Sequence, residues 1–203
     1  MSSAALPDAD VILILRGKSV ALGPLRRDLT TLYQRWMNDL RVTRTLAAPS
    51  LPVSVEAETT WVDQALLGSD PIFTIYEEAT LRPIGTVGLH DIKCEHGTAE
   101  FGLLIGATDV WGRGFGTEVT SLMLSYAFDV LGLHSVQLVV YANNPGALRA
   151  YERAGFRRSG DRREALKVGR RRYDAIYMDA LASEFAPSAA HDILHPPPRS
   201  GLD

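Results

Sequence analysis

The stretch Asp109-Val110-Trp111-Gly112-Arg113-Gly114-Phe115-Gly116-Thr117-Glu118 decides the fold. It lies between a run that reads as a strand, residues 98–105, and the longest amphipathic segment of the chain. From Gly114 to Leu131 the positions Val119, Leu122, Met123, Tyr126, Ala127, Val130 and Leu131 keep to one helical face, and Gly132 stops the helix. Glycines at such a junction let backbone N–H groups approach an anion closely, and the helix N-terminus adds aligned donors and partial positive charge. The stretch reads as a pyrophosphate cradle, with tight packing or capping as the plain alternative.

Two other Gly-rich designs do not fit. A triphosphate-binding loop ends in Lys, whereas Gly116 is followed by Thr117 and Glu118. A dinucleotide fingerprint needs Gly at 117 and a parallel βαβ unit. Upstream, residues 71–77, 83–91 and 98–105 instead read as consecutive antiparallel strands, punctuated by Thr80-Leu81-Arg82-Pro83 and Glu95-His96-Gly97.

Working outward, residues 11–15 and 19–25 read as strands around Arg16-Gly17-Lys18, and 28–37 has helical spacing, with Leu29, Leu32, Tyr33 and Trp36 on one face. A second helix starts at Ser54, where Ser-Val-Glu-Ala-Glu supplies a cap and first-turn acids, and runs to Gly68. Residues 135–141 form a strand apolar on both faces apart from Gln137, hence central. A short helix follows, capped by Asn144, with Pro145 first and Gly155 just past its end. Residues 156–180 read as strands broken at Lys167-Val168-Gly169-Arg170. The domain therefore spans 11–182, between a flexible tail at 1–10 and a Pro-rich flexible tail at 183–203.

The bulk composition agrees with one globular domain: 46% apolar, 22% charged, net charge −3 and pI near 6.0. No overall positive field exists to draw in nucleic acid. Cys94 is the single cysteine, so no internal disulfide forms, and no leader or membrane span is evident. A cytoplasmic location is expected.

The second informative motif runs from Val140 through Tyr141-Ala142-Asn143-Asn144-Pro145-Gly146 to Tyr151 and Gly155-Phe156. Together with the cradle, and with a helix and a central strand between them, it resembles the GCN5-related N-acetyltransferase (GNAT) superfamily. Residues 111–118 resemble the RimJ/RimL-type subfamily, which favours Trp-Gly-[Arg/Lys]-Gly-[Tyr/Phe]-[Ala/Gly]-Thr-Glu. The resemblance implies an α/β (α+β) fold whose twisted, mixed, mostly antiparallel sheet has about six to seven strands with helices on both faces. It implies acetyl-CoA or another short acyl-CoA as cosubstrate, an amine acceptor as partner and no metal, with a homodimer as an allowed assembly.

By that resemblance Leu103, Leu104 and Ile105 line the pantetheine arm, and Val110, Trp111, Gly112, Arg113, Gly114, Phe115, Gly116 and Thr117 hold the pyrophosphate. The wider superfamily often has Gln or Arg at the place of Trp111; Arg113 is the substitute contact. Asn143 faces the pantetheine, and Asn144, Ala147 and Tyr151 complete the cofactor contacts, Asn144 serving equally well as a simple cap.

Direct transfer needs a polarised carbonyl, a base and an acid. A backbone N–H near Leu104 or Ile105 polarises the carbonyl. By the same resemblance Tyr151 is the phenol that protonates the leaving sulfur, or else packs on the arm. Glu100 is the base, or else a solvent-facing residue or substrate anchor, with His90 and Asp91 in reserve. His90, Asp91, Cys94, Glu95 and His96 fit no recognised zinc spacing. Trp36 and Trp61 read as core or cleft wall. The two N-terminal helices and the loops 91–98 and 162–172 are expected to shape the acceptor pocket. The chain is expected to be an N-acyltransferase acting on a protein N-terminus or a small metabolite or antibiotic; the competing reading is a coenzyme A-binding sensor without turnover.

Overall fold

The computed structural model describes residues 11–47 and 51–186. The expectations for residues 1–10, for the prolines at 187 and 196–198, and for His191 and His195 lie outside the described residues.

Eight strands share one sheet in the order β1-β2-β3-β4-β5-β6-β8-β7. They are β1 (Leu15–Arg16), β2 (Val20–Pro24), β3 (Ile72–Glu77), β4 (Arg82–Lys93), β5 (Thr98–Ile105), β6 (Ser135–Tyr141), β7 (Arg157–Val168) and β8 (Arg171–Leu181). The helices are α1 (Thr30–Met37), α2 (Leu40–Thr43), α3 (Val55–Leu67), α4 (Phe115–Ser125) and α5 (Pro145–Ala154). All neighbouring strands are antiparallel except β5 and β6. That single parallel pair is where the chain crosses over through α4, as a right-handed parallel connection requires a helix.

The elements fall close to where side-chain periodicity puts them. Ser54 accepts the Ala57 N–H at 3.1 Å and starts α3, and Asn144 accepts the Ala147 N–H at 3.1 Å and starts α5. The main core lies between the sheet and the α4/α5 side, around Ile84, Val119, Met123, Val136 and Met178. A smaller cluster of Leu25, Leu29, Tyr33, Trp36 and Val62 joins α1 and α3 to the sheet.

Several expectations change. The sheet has eight strands, against an expectation of about six to seven. Most of 11–15 is not strand: the Ile14 N–H still donates to the Leu22 carbonyl at 2.7 Å, so the chain follows β2 without a regular ladder. The helix expected over 114–131 keeps α geometry to Ser125 and then widens into a π turn at Tyr126–Val130, where Leu131 N–H reaches back five residues to Tyr126 O. Strand β6 is central, yet Gln137 and Val139 leave one face exposed, since no helix among the described residues covers it. The domain also passes 182: Ala182–Glu184 form a 3₁₀ turn, and Phe185 packs edge-on against Phe128 with ring centroids 5.4 Å apart. Among the described residues no helix is long and apolar enough to cross a membrane.

Candidate active site

Strands β5 and β6 are paired only at Thr98↔Ser135, Ala99↔Val136 and Glu100↔Gln137. Beyond Glu100, β5 continues to Ile105 against β4 alone, and β6 continues to Tyr141 against β8 alone. The two strands part into a wedge. Because ladder bonds alternate sides along a strand, every second backbone group of Phe101–Ile105 faces this wedge without a strand to pair with.

The cradle lies at the open end of β5. Gly112 and Gly114 have φ of 77° and 88°, and a Cβ built on either meets nothing within 4 Å. These are conformations that favour glycine on backbone grounds alone. The first helical bonds run from the Thr117 and Glu118 N–H groups to the Gly114 carbonyl at 3.1 and 3.2 Å. The amides of residues 112–116 therefore have no backbone acceptor among the described residues and converge at the positive end of α4. Such a set of donors fits a diphosphate.

Trp111 and Arg113 act differently from expectation. The Trp111 indole N–H donates to the Ile105 carbonyl at 2.9 Å, tying the cradle to the last residue of β5. The Arg113 guanidinium, half-exposed, pairs with Glu77 at 3.0 Å and stacks 4.6 Å above the Phe115 ring. Val110 and Phe115 are buried in the core and fix the cradle from below. Nearby, Arg82 bonds Asp109 at 2.8 Å and holds that carboxyl below its usual range.

On β5 the period of two separates the expected lining residues. Leu103 and Ile105 pack toward the α4/α5 core, whereas Leu104 joins the cluster under α1 and α3, so these three side chains do not share a face. Phe101 meets Tyr151 edge-on at 5.8 Å, and Tyr151 meets Phe156 at 6.1 Å. Tyr151 is buried, and burial pushes its phenol well above the ordinary tyrosine value. Glu100, next to Phe101, must point to the opposite face of the sheet. The structure thus sets Glu100 and Tyr151 on opposite sides of the wedge rather than side by side.

Asn143 bridges the cofactor side and the N-terminal helices. Its side-chain N–H donates to the Arg44 carbonyl just past α2 at 2.8 Å, while its Oδ1 is buried and has no partner. A lone buried acceptor at the mouth of the wedge suits an amide N–H of a pantetheine arm. Asn144 acts as the cap of α5, and the Ala147 N–H is spent on that cap.

On the Glu100 side a cavity of about 410 Å³ lies between the sheet and α1/α3, lined by Tyr33, Met37, Leu46, Glu58, Trp61 and Leu104 among others. His90 lines it as well, 3.4 Å from Asp70. Loops 91–98 and 162–172 do not line it. Asp91 sits at positive φ near the end of β4, and Cys94 and His96 are exposed at the hairpin tip beyond it. Trp36 is core, and Trp61 is cavity wall. Tyr33 bonds Thr74 at 2.6 Å, and burial pushes its phenol up to about 12. Glu100 itself opens into a separate hollow of about 320 Å³ with Gln137, Tyr177 and Asp179.

Glu58, expected only as a first-turn acid of the helix, has a further place in the structure. It is only 5% exposed and its carboxyl is raised by desolvation. The signal was available: Glu58 stands four residues before Val62, on the buried face of α3.

A wedge in the sheet, a donor-rich helix start beside it and a cavity on the opposite face together define a domain that holds a phosphate-bearing cofactor on one side and a second substrate on the other. The model of the acetyltransferase (GNAT) domain matches residues 20–157, over half the chain, and the protein belongs to that family. The spermidine N(1)-acetyltransferase of Vibrio cholerae serotype O1 is 34% identical over 111 residues, 55% of this chain and 64% of that enzyme. The match therefore spans less than two thirds of that relative's length. The Escherichia coli K12 spermidine N(1)-acetyltransferase is 27% identical over 160 residues, 79% of this chain and 84% of the enzyme. Among solved structures, the Vibrio cholerae spermidine N-acetyltransferase in complex with CoA and spermine superposes with a TM-score of 0.75 at 25% identity, covering 83% of this chain and 99% of that one.

Proposed function

We propose that the protein transfers an acetyl group from acetyl-CoA to the primary amine of a small acceptor, by direct attack while both substrates are bound. The observation that carries this reading is the wedge, which opens toward the cradle amides on one side and toward the 410 Å³ cavity on the other. Acetyl-CoA, when bound, would supply a thioester whose carbonyl carbon is the electrophile and whose sulfur leaves as the coenzyme A thiol. The amides of residues 112–116 hold the diphosphate, and unpaired backbone groups of Phe101–Ile105 take the arm as an added strand. A wedge-facing amide near Leu104 or Ile105 donates to the oxygen on which charge develops.

Glu100 lies on the acceptor face and Tyr151 on the cofactor face, a division that suits their proposed roles. Glu100 receives the proton of the attacking nitrogen, directly or through water, and Tyr151 gives its proton to the departing sulfur. Burial keeps the Tyr151 phenol protonated before each transfer, and by the same token makes it a weaker acid than an ordinary phenol. Within the family we place the chain with the RimJ/RimL type on residues 111–118, and an amine acceptor is supported by the spermidine N-acetyltransferase relatives.

The test is thiol release from acetyl-CoA and succinyl-CoA over a panel of peptides, polyamines and aminoglycosides, with calorimetry of coenzyme A alongside. Turnover of at least one amine is the expected result. Tight coenzyme A binding with no turnover of any acceptor would replace the enzyme by the sensor reading.

A further inference from the structure

The acceptor cavity holds one ionisable group that the chemistry above leaves unused. Glu58 projects from α3, the wall that faces β4 and β5 across the cavity, and is 5% exposed. Its carboxylate has no hydrogen bond and no ion pair among the described residues, in contrast to Asp63 on the same helix, which pairs with Arg27. A carboxylate set against an apolar cavity wall without a partner is costly, and proteins retain one where a ligand supplies the missing charge. Around it the lining is apolar: Met37, Leu46, Val53, Trp61 and Ile72 leave room for an alkyl chain and an aromatic face for a cation. Tyr33 and His90 are the other titratable residues lining the cavity among those described.

The acylated nitrogen must be neutral to attack, whereas a nitrogen held by a buried carboxylate stays charged. One nitrogen cannot meet both conditions at once. We propose that Glu58 is the anchor for a second, non-reacting ammonium, and that the acceptor is a diamine whose two nitrogens are joined by an apolar span. This rests on the acyltransfer reading above and adds the residue that selects among amines. A third ammonium finds no second carboxylate among the described residues lining the cavity, so extra charge adds no recognition there.

The experiment compares 1,5-diaminopentane, n-pentylamine and spermidine as acceptors for the wild type, Glu58→Gln and, as control, Glu56→Gln on the exposed side of the same helix. The wild type is expected to favour the diamine over the monoamine by at least about tenfold in kcat/KM, with spermidine no better than the diamine. In Glu58→Gln that ratio falls toward one, chiefly through KM, and in Glu56→Gln it persists. Calorimetric titration of the same amines into each protein reads the same difference without turnover, and melting curves check the fold of each variant. A diamine preference that survives Glu58→Gln, or a wild type that treats the first two amines alike, overturns the assignment, as does a further tenfold gain with spermidine. If no amine is acylated the acyltransfer reading fails, and the calorimetric difference still decides the role of Glu58.

Discussion

The side-chain amide of Asn143 donates to the backbone carbonyl of Arg44 across 2.8 Å, joining the loop after β6 to the turn that ends α2. One group of Asn143 thus holds the turn leading to Leu46 in the 410 Å³ cavity, and its other group, Oδ1, is buried and unpaired. Replacing Asn143 by Ala should loosen both. The KM for the amine and the Kd for coenzyme A should each rise by roughly fivefold, about 1 kcal/mol apiece. Kinetics and calorimetry separate the two, and a change confined to one substrate would show that the residue serves only that side.

Tyr151 lies between Phe101 and Phe156 and carries a proton that burial makes hard to remove. Tyr151→Phe should keep the ring packing and coenzyme A affinity while kcat falls by on the order of a hundredfold. Since the phenol is raised above its ordinary value of about 10, no loss of rate should arise from its ionisation up to about pH 10. A wild-type kcat in Tyr151→Phe would remove the residue from the reaction.

In the cradle, Gly114→Ala meets no neighbour but must hold φ near 88°. The left-handed backbone costs an L-residue about 1–2 kcal/mol, so coenzyme A should bind roughly 5–30-fold more weakly if the loop relaxes to escape it. Calorimetry reads this directly. Unchanged affinity would mean that the Gly114 conformation is not needed for the anion.

Glu118, in the first turn of α4, accepts the Ser19 N–H at 2.8 Å and lies where a Cβ on Gly17 would come within 2.3 Å of its Oε1. Its role is to dock the β1–β2 turn onto the helix. Glu118→Ala should cost about 1–2 kcal/mol, lowering Tm by roughly 2–8 °C, because a half-buried donor loses its acceptor. Gly17→Ala should destabilise the wild type and have much less effect in the Glu118→Ala background. Additive losses in the double variant would show that the two positions do not interact.

Glu58 also fixes a pH dependence. Its folded carboxyl is raised by desolvation, so the native state holds a proton that the unfolded chain releases near pH 4.5. Stability should therefore fall as pH rises from that value through the folded carboxyl's titration, then level off. His90, which also lines the cavity, is present in both proteins compared. Urea unfolding of wild type and Glu58→Gln from pH 4 to pH 7 should show the variant gaining relative stability as pH rises. A difference that stays flat across that range contradicts the burial argument.

Local signals made much of this molecule legible from its sequence. Asn144, Pro145 and Gly155 bracket α5, Ser54 opens α3, and the glycines at 112 and 114 adopt the backbone expected of a cradle. What stayed hidden depends on contacts between residues far apart in the chain. The bonds from the Trp111 indole to the Ile105 carbonyl and from Arg113 to Glu77 could not be read from the motif. The N-terminal helices and loops 91–98 and 162–172 were expected to shape the acceptor pocket; the 410 Å³ cavity is lined by α1, α3, β4 and β5, and the loops do not reach it. Alternation along β5 could have been applied to separate Leu104 from Leu103 and Ile105, and it predicts that Glu100 and Tyr151 act from opposite faces.

The brevity of the contact between β5 and β6 has a mechanical meaning. Three residues from each strand form the whole seam between two blades of the sheet, the antiparallel ribbons β1–β5 and β6–β8. A guest lying in the gap adds hydrogen bonds that span both blades, in the manner of a dowel between two boards. The protein's grip on such a guest is therefore unfinished sheet, and each departure of product leaves the joint as slack as it was before.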